Sequence, residues 1–299
     1  MRALVTGATG FVGGHLTELL EANGADVRRA TRAQFEGTQA LDLRGIDVVF
    51  HLAAQSFVPD AIASPMATYE ANVMGTARLA RSIAVHAAQT GERPRLVFAS
   101  SAEVYGDVSA EHLPLCETAR TNPRNPYAAS KAAAEAILIG ERTSFGLDVV
   151  IGRAFNAIGP GQRPSFAIAS FAAQVAQIAR GAAARIAVGN LDAQRDFLDV
   201  RDVAAAYVAL AQRGVAGESY NICSGVPRSL RSMLDELVRI AGITVEIIEE
   251  ETLIREADTP ILVGDNTKLR TSTQWSPKFE LTTSLADALS LRAKMPKPS

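Results

Sequence analysis

The chain has 299 residues, 47% of them hydrophobic and 21% charged, with a formal net charge of -2. That is enough apolar material for one large domain or two coupled ones. The near-neutral balance supplies no broad basic field, so neither nucleic acid nor an anionic membrane is expected as a partner, and any anionic ligand must be held by local cations. Cys116 and Cys223 stand far apart with no His or Cys cluster around them, which argues against a disulfide framework and a zinc site; no metal is expected.

The N-terminus opens on strand-like Arg2-Ala3-Leu4-Val5-Thr6 with no charged leader or cleavage site. The later apolar stretches are too short to span a bilayer or are interrupted, as at Gln174 and Gln177. A soluble, cytoplasmic protein is the expectation. The first strand, Leu4 to Thr6, runs into Gly7-Ala8-Thr9-Gly10-Phe11-Val12-Gly13 and then a helical pattern over His15 to Glu21. Three glycines between a strand and a helix suit a dinucleotide pyrophosphate. Gly7 permits the tight turn, Gly10 the backbone approach to phosphate and Gly13 close helix packing, while the helix N-terminus offers amide donors and a positive dipole.

The second strand, Val27 to Thr31, is followed by Arg32 where an NAD-specific site carries an acid for the ribose 2′-hydroxyl. Arg32 suits a 2′-phosphate instead, so NADP(H) is favoured, with NAD(H) the open alternative. Asp42 and Leu43 are placed to meet the adenine. The third strand, Val48 to His51, leads into Leu52-Ala53-Ala54, which is expected beneath the pyrophosphate, and His51 reads as a buried strand end. A long helix is predicted over Met66 to Thr90 and a fourth strand over Leu96 to Ser100. Ser101 therefore falls at the carboxyl edge of the sheet, where doubly wound proteins bind ligands.

The next helix, Tyr127 to Ser144, carries Tyr127 and Lys131 at i and i+4 on one face. A free phenol titrates near 10, about three units above neutrality, equivalent to roughly 4 kcal/mol. The spacing predicts that Lys131 and an oxidised nicotinamide lower it toward acid-base use. The Ala-rich start of this helix suits close helix packing, as between subunits. A fifth strand, Val149 to Arg153, completes a βαβ alternation that predicts an α/β fold with a parallel sheet. After Asn156, Gly159-Pro160-Gly161 breaks this beat. A helix over Val200 to Ala211 and a strand over Glu218 to Cys223 are expected to return to the main sheet. Residues 1-157 and 197-224 are thus assigned to the dinucleotide-binding domain, and 158-196 and 225-299 to a smaller substrate domain.

Thr6-Gly7-Ala8-Thr9-Gly10-Phe11-Val12-Gly13, His51-Leu52-Ala53-Ala54-Gln55-Ser56, Ser101 and Tyr127-x-x-x-Lys131 together resemble the extended short-chain dehydrogenase/reductase family of nucleotide-sugar enzymes. The likeness covers nearly the whole chain. It implies a Rossmann-type doubly wound parallel sheet with a smaller C-terminal α/β substrate domain, and often a homodimer. The blocks 153-162, 189-202 and 220-225 resemble the family's GDP-4-keto-6-deoxy-D-mannose reductases, although Ala157 stands where that pattern has His. By position the resemblance implies Ser101, Tyr127 and Lys131 as catalytic triad, with Tyr127 and Lys131 also touching the cofactor. It further implies Gln55, Ser101, Glu103, Asn156, Arg195 and Arg255 as nucleotide-sugar contacts, with Asp199 orienting Arg195 or touching the nucleotide ribose. Family 4,6-dehydratases carry Asp-Glu after the catalytic hydroxyl residue, although related GDP-mannose dehydratases retain only the Glu, and here the pair is Ala102-Glu103. The expected reaction is therefore reduction of an NDP-4-keto-6-deoxyhexose at C4, to GDP-D-rhamnose for the GDP-linked sugar. A 4-epimerase with tightly held NAD and a dTDP-sugar reductase are the alternatives. A non-catalytic dinucleotide-binding protein on the same fold would need neither Tyr127 nor Lys131.

Overall fold

The computed structural model describes residues 1–35, 39–253 and 259–294. Its main sheet begins with Arg2–Thr6 (β1), Asp26–Arg29 (β2), Val48–His51 (β3), Arg95–Ser101 (β4) and Val149–Ala154 (β5). All of these but β2 are largely buried runs rich in Val, Leu, Ile, Phe and Ala, the pattern of strands covered on both faces. Between them lie Phe11–Ala22 (α1), Arg32–Phe35 (α2), Val58–Ala63 (α3), Pro65–Tyr69 (α4), Gly75–Thr90 (α5) and Pro126–Phe145 (α6). The predicted helix over Met66 to Thr90 is present, but a π-turn at Glu70–Met74 interrupts it between α4 and α5. Helix α6 has clear sequence punctuation. The Asn125 side chain caps it by accepting from the Ala128 N–H at 2.8 Å, Pro126 fills its first position, and Gly146 ends it with φ +71°.

Beyond β5 the chain forms Asn156–Ile158 (β6), Ala167–Ala179 (α7), Arg185–Val188 (β7), Gln194–Asp199 (β8), Val200–Arg213 (α8) and Ser219–Ile222 (β9). Pro227–Ser229 (β10), Leu230–Ala241 (α9), Glu246–Glu249 (β11), Ile261–Leu262 (β12), Thr267–Thr273 (α10) and Leu281–Lys294 (α11) complete it. Strand β9 returns to the main sheet as expected, giving six parallel strands in the order β2-β1-β3-β4-β5-β9. The order reverses between β1 and β3, and a crevice forms at the carboxyl ends of strands at such a switch point. This is the doubly wound α/β architecture expected from the sequence.

Helices α1 and α8 pack together over one face of the sheet, around Leu16, Leu20, Val203 and Tyr207. The other face is covered by α5 and α6 through Leu79, Ile83, Ala134 and Leu138. A separate apolar cluster joins α7, α9 and α11 through Phe171, Val175, Leu234, Leu237 and Leu285. Strand β8 lies at the centre of a smaller sheet, flanked by antiparallel β10 and parallel β12, with β6 also pairing along it. Among the described residues no helix is long and apolar enough to cross a membrane, and no cluster of His, Cys, Asp and Glu could hold a metal ion.

Candidate active site

The glycine turn occupies the switch point. Gly7 has φ +72°, and a Cβ there would lie 2.7 Å from the Ala53 N–H nitrogen, so the ends of β1 and β3 can approach this closely only with glycine. A Cβ on Gly13 would collide with the Gly7 carbonyl oxygen, which seats the first turn of α1 directly on the loop. The helix is capped by Gly10 without a side-chain hydrogen bond and has no acidic residue in its first turn. Its amide end and positive dipole thus face the crevice uncompensated, and the residues fit a pyrophosphate. Thr9 and Gly10 are exposed at the tip, and Phe11 and Val12 are half-buried.

Leu52, Ala53 and Ala54 run beside this turn, with the Ala53 N–H donating to Thr6 Oγ1 at 3.1 Å. Arg32 opens α2 and is exposed. The Asp42 carboxylate is bound by Arg44 through two contacts of 2.9 Å, which hold its pKa well below the usual carboxylate range. The Leu43 side chain is buried in the core under the sheet, leaving its backbone as the part able to meet a ligand.

Ser101 ends β4, and Tyr127 and Lys131 lie on the facing turns of α6. The Ser101 Oγ accepts from the Glu103 N–H at 3.2 Å and caps a short 3-10 turn over Ala102–Tyr105. Burial pushes the Tyr127 phenol up to about 12; hydrogen bonding with Ser101 opposes the shift and the Glu103 charge adds to it. The lowering expected from Lys131 and an oxidised nicotinamide together does not come from Lys131 alone. The reason is geometric: the Lys131 Nζ donates to the Ala99 carbonyl at 2.7 Å and sits 4.8 Å from the centre of the Phe98 ring. Burial lowers Lys131 to about 8, and the Glu135 carboxylate one turn further along α6 works against that shift. The structure therefore holds a protonated phenol beside a hydroxyl, with a desolvated ammonium one turn further along α6.

Two supporting groups escape a reading of the sequence, and a third, His51, is the buried strand end expected of it with hydrogen bonds that only the fold reveals. Asn72 lies in the π-turn, buried, where its Oδ1 accepts from the Gln55 N–H at 2.8 Å and its Nδ2 donates to Gln55 O and Ser130 Oγ, both at 2.9 Å. Ser130 Oγ in turn donates to the Tyr127 carbonyl at 2.7 Å. An interrupted helix thus ties the loop after β3 to the turn that carries Tyr127, as π-turns at functional sites often do.

His51, fully buried, bridges Thr6 Oγ1 at 2.8 Å and Thr76 Oγ1 at 2.9 Å. Thr76 Oγ1 donates to Asn72 O at 2.6 Å, so it accepts from His51 Nε2–H, and Nδ1 accepts from Thr6. Burial, with Lys131 nearby, lowers His51 to about 3 and keeps it neutral. The second group that the sequence hides is the buried ion pair of Glu135 with Arg153, closed by Arg153 Nη2 to Oε2 at 2.7 Å and Nε to Oε1 at 3.0 Å. Ser100 Oγ donates to the same carboxylate, and Arg153 Nη1 reaches Tyr105 Oη at 3.0 Å and Glu117 O at 3.1 Å.

The nucleotide-sugar candidates divide. Gln55 is anchored through its backbone by Asn72 and through Nε2 to Phe57 O at 2.8 Å, while its Oε1 is buried with no hydrogen-bond partner among the described residues. Glu103 Oε2 accepts from Asn125 Nδ2 at 3.2 Å. Asn156 and Arg195 come together on the smaller sheet, since Asn156 pairs with Phe197, two residues along β8 from Arg195. Arg195 Nη1 donates to Gln194 O and Thr259 O at 2.8 and 2.6 Å.

Asp199 corrects the expectation placed on it. Its carboxylate is buried at the N-cap of α8, bonded to the Arg201 N–H, Nε and Nη2, each at 2.8 Å, and to Ser284 Oγ at 2.5 Å. An acid held in this way fixes the helix and α11 rather than a ribose. Arg255 lies outside the described residues.

Fold and site together define a protein of the short-chain dehydrogenase/reductase class. The chain matches the GDP-mannose 4,6 dehydratase family over residues 35–288. It is 37% identical to GDP-6-deoxy-D-mannose reductase of Pseudomonas aeruginosa, over 97% of this chain and 96% of that one. It is 32% identical to GDP-6-deoxy-D-talose 4-dehydrogenase of Aggregatibacter actinomycetemcomitans, over 90% of each. The structure of RMD from Pseudomonas aeruginosa complexed with NADPH matches with a TM-score of 0.89 at 37% identity, covering 98% of both chains. The chain belongs to this family, a branch of the short-chain dehydrogenases/reductases that act on sugar nucleotides.

Proposed function

We propose that the chain reduces the C4 ketone of GDP-4-keto-6-deoxy-D-mannose to give GDP-D-rhamnose, using NADPH. The observation that carries this reading is the convergence of Ser101, Tyr127 and Lys131 beside an uncapped glycine cradle, in a chain similar along nearly its whole length to a GDP-6-deoxy-D-mannose reductase. NADPH, when bound, supplies the hydride. Tyr127 gives its proton to the O4 that develops negative charge, and Ser101 donates a hydrogen bond to the same oxygen. A phenol titrating near 12 is loaded with its proton at neutral pH, which is the state a reductase needs at the start of each turnover. The Lys131 ammonium, held beside the end of β4 by the Ala99 carbonyl, reaches the nicotinamide ribose.

Gly7, Thr9, Gly10, Phe11, Val12 and Gly13 hold the pyrophosphate and Arg32 the 2′-phosphate; Asp42, Leu43, Leu52, Ala53 and Ala54 line the rest of the dinucleotide path. Gln55, through its unsatisfied Oε1, accepts from a ligand hydroxyl or amide, and Asn156, Arg195 and, by the family resemblance, Arg255 bind the nucleotide-sugar. Residues 1-157 and 197-224 form the cofactor half, and 158-196 with 225-299 the substrate half. The chain works in the cytoplasm as a homodimer, joined through α5 and α6. Their outer faces expose Val85, Ile139 and Phe145, with Met74 exposed at the end of the π-turn before α5, and Ala133, Ala136 and Gly140 are exposed on α6 for close helix approach.

The test incubates purified protein with NADPH and GDP-4-keto-6-deoxy-D-mannose, follows cofactor oxidation and identifies the sugar by NMR. The reading requires turnover to GDP-D-rhamnose and a fall of about 10²- to 10⁴-fold in Tyr127→Phe. Protein that purifies with NAD and interconverts C4 epimers without added cofactor would instead be an epimerase.

A further inference from the structure

The antiparallel register of β10 on β8 places Arg228 directly opposite Arg195. Partners in such a pair project from the same face of the sheet with Cβ atoms about 5 Å apart, and like charges in that position repel. Arg195 belongs to the proposed nucleotide-sugar contacts, and Arg228 does not figure among the residues that the family resemblance picks out. Arg228 is exposed, and its guanidinium has no hydrogen bond or ion pair among the described residues. Two facing arginines with one side chain unmatched make a place where a multivalent anion is favoured.

The backbone on both sides of this pair is fixed. The Asp196 carboxylate, fully buried next to Arg195, accepts from the Ser224 N–H and Oγ at 2.7 Å and from the Gly225 N–H at 2.9 Å, pinning the loop that leads into β10. Beyond β10 the Leu230 and Arg231 N–H groups donate to Ala193 O and Leu191 O, each at 3.0 Å, and Ser229 caps α9. Arg228 is thus held between two anchors on a rigid ribbon that includes the start of β8. Such preorganisation lowers the ordering cost of binding.

Asn156 shares this face as well. It pairs with Phe197 in parallel register, and Phe197 and Arg195 are two residues apart on β8. The face therefore runs from Asn156, just past the carboxyl end of β5, to the two arginines.

We infer that Arg228 binds the diphosphate of the nucleotide-linked substrate, acting with Arg195 across the β8–β10 pair. This rests on the nucleotide-sugar reading given above and adds a binding residue to it. Arg228 contributes to holding the diphosphate and takes no part in proton or hydride transfer, so its loss raises KM and leaves kcat in place.

The experiment measures GDP and guanosine binding by calorimetry to the full chain with NADPH present, for wild type, Arg228→Ala, Arg228→Lys and Arg195→Ala. The expected result is about a tenfold weaker GDP affinity in Arg228→Ala, the loss of one charge-assisted contact at a solvent-facing position. Guanosine binding should be unchanged, Arg228→Lys should recover part of the loss, and the salt dependence of GDP binding should flatten. Melting of Arg228→Ala should match wild type or exceed it, since a repulsion is removed. If GDP binds Arg228→Ala as tightly as wild type while Arg195→Ala is weakened, Arg228 is no ligand and the substrate reading stands. If wild type fails to bind GDP but binds another nucleoside diphosphate with the same dependence on Arg228, the diphosphate role survives and the GDP assignment falls.

Discussion

Replacing Glu135 by Leu separates its two effects, on stability and on Lys131. Its carboxylate and the Arg153 guanidinium have side chains only 9% and 8% exposed, and Arg153 reaches it from both Nε and Nη2. Removing one partner of such a pair leaves a buried charge uncompensated and costs about 3–5 kcal/mol. At roughly 2 °C per kcal/mol for a chain of this size, Tm should fall by about 6–10 °C. Glu135→Leu/Arg153→Leu removes both charges and should recover most of that loss, since apolar replacement of a whole buried pair is often near neutral.

The chemistry should not recover with it. Glu135 is the group that raises the Lys131 pKa against burial, so in both variants Lys131 drops below its position near 8. The ammonium is then lost at lower pH, and the alkaline limb of kcat/KM moves toward acid in the double variant as well. Calorimetric melts and pH-rate profiles on the three proteins check this. A Glu135→Leu variant melting within about 2 °C of wild type, or a double variant with a wild-type alkaline limb, would refute the reasoning.

Gly13→Ala places a methyl where the Gly7 carbonyl oxygen lies, and fluorescence titration should show NADPH binding weakened by at least about tenfold. Arg32→Ala should weaken NADPH by about 10- to 100-fold while leaving NADH nearly unchanged; equal losses for both cofactors would remove Arg32 from the 2′-phosphate. His51 has its folded pKa lowered from 6.5 to about 3, so the unfolded chain binds a proton over that interval that the native chain does not. Its contribution to stability is complete above pH 6.5 and is lost as pH falls toward 3. Urea titrations should show that slope in wild type and its absence in His51→Gln, after correction for the carboxylates common to both.

The parallel sheet was legible because its strands are short, buried, apolar runs separated by helical periodicity; β3 runs over the expected Val48 to His51, β4 extends one residue beyond expectation at each end, and β5 one residue at its C-terminal end. Helix α6 was legible for the same kind of reason, with Pro126 at its start and Gly146 at its end. The π-turn was not. Hydrophobic spacing sets the face of a helix but hardly registers one extra residue in a turn, so Asn72 reads as an ordinary helical residue until the chain is folded. Glu135 and Arg153 are 18 residues apart on a helix and a strand, and only the assembled sheet makes them partners. The same limit explains the phenol: the i, i+4 spacing puts Tyr127 and Lys131 on one face, but the Ala99 carbonyl captures the ammonium, and burial then dominates the phenol.

The pair Ala102-Glu103 shows how a family whose members dehydrate and reduce can be turned toward reduction. Elimination of water needs an acid beside the departing hydroxyl; dehydratases with the Asp-Glu pair carry it at the position of Ala102, while GDP-mannose dehydratases keep only the Glu, as this chain does. Here the Ala102 side chain is 2% exposed and packs with Val104, Tyr105, Leu115, Phe155 and Cys223. An aspartate introduced there would enter an apolar core, where its ionised form is disfavoured and its bulk must displace neighbours. Glu103 is meanwhile occupied at the joint between β4 and α6, its N–H on Ser101 Oγ and its carboxylate on Asn125, the cap of the helix that carries Tyr127. Its charge also favours the protonated phenol. Ala102→Asp alone should therefore destabilise the fold without producing a dehydratase, because the site of the side chain is packed and Glu103 is already engaged with Asn125.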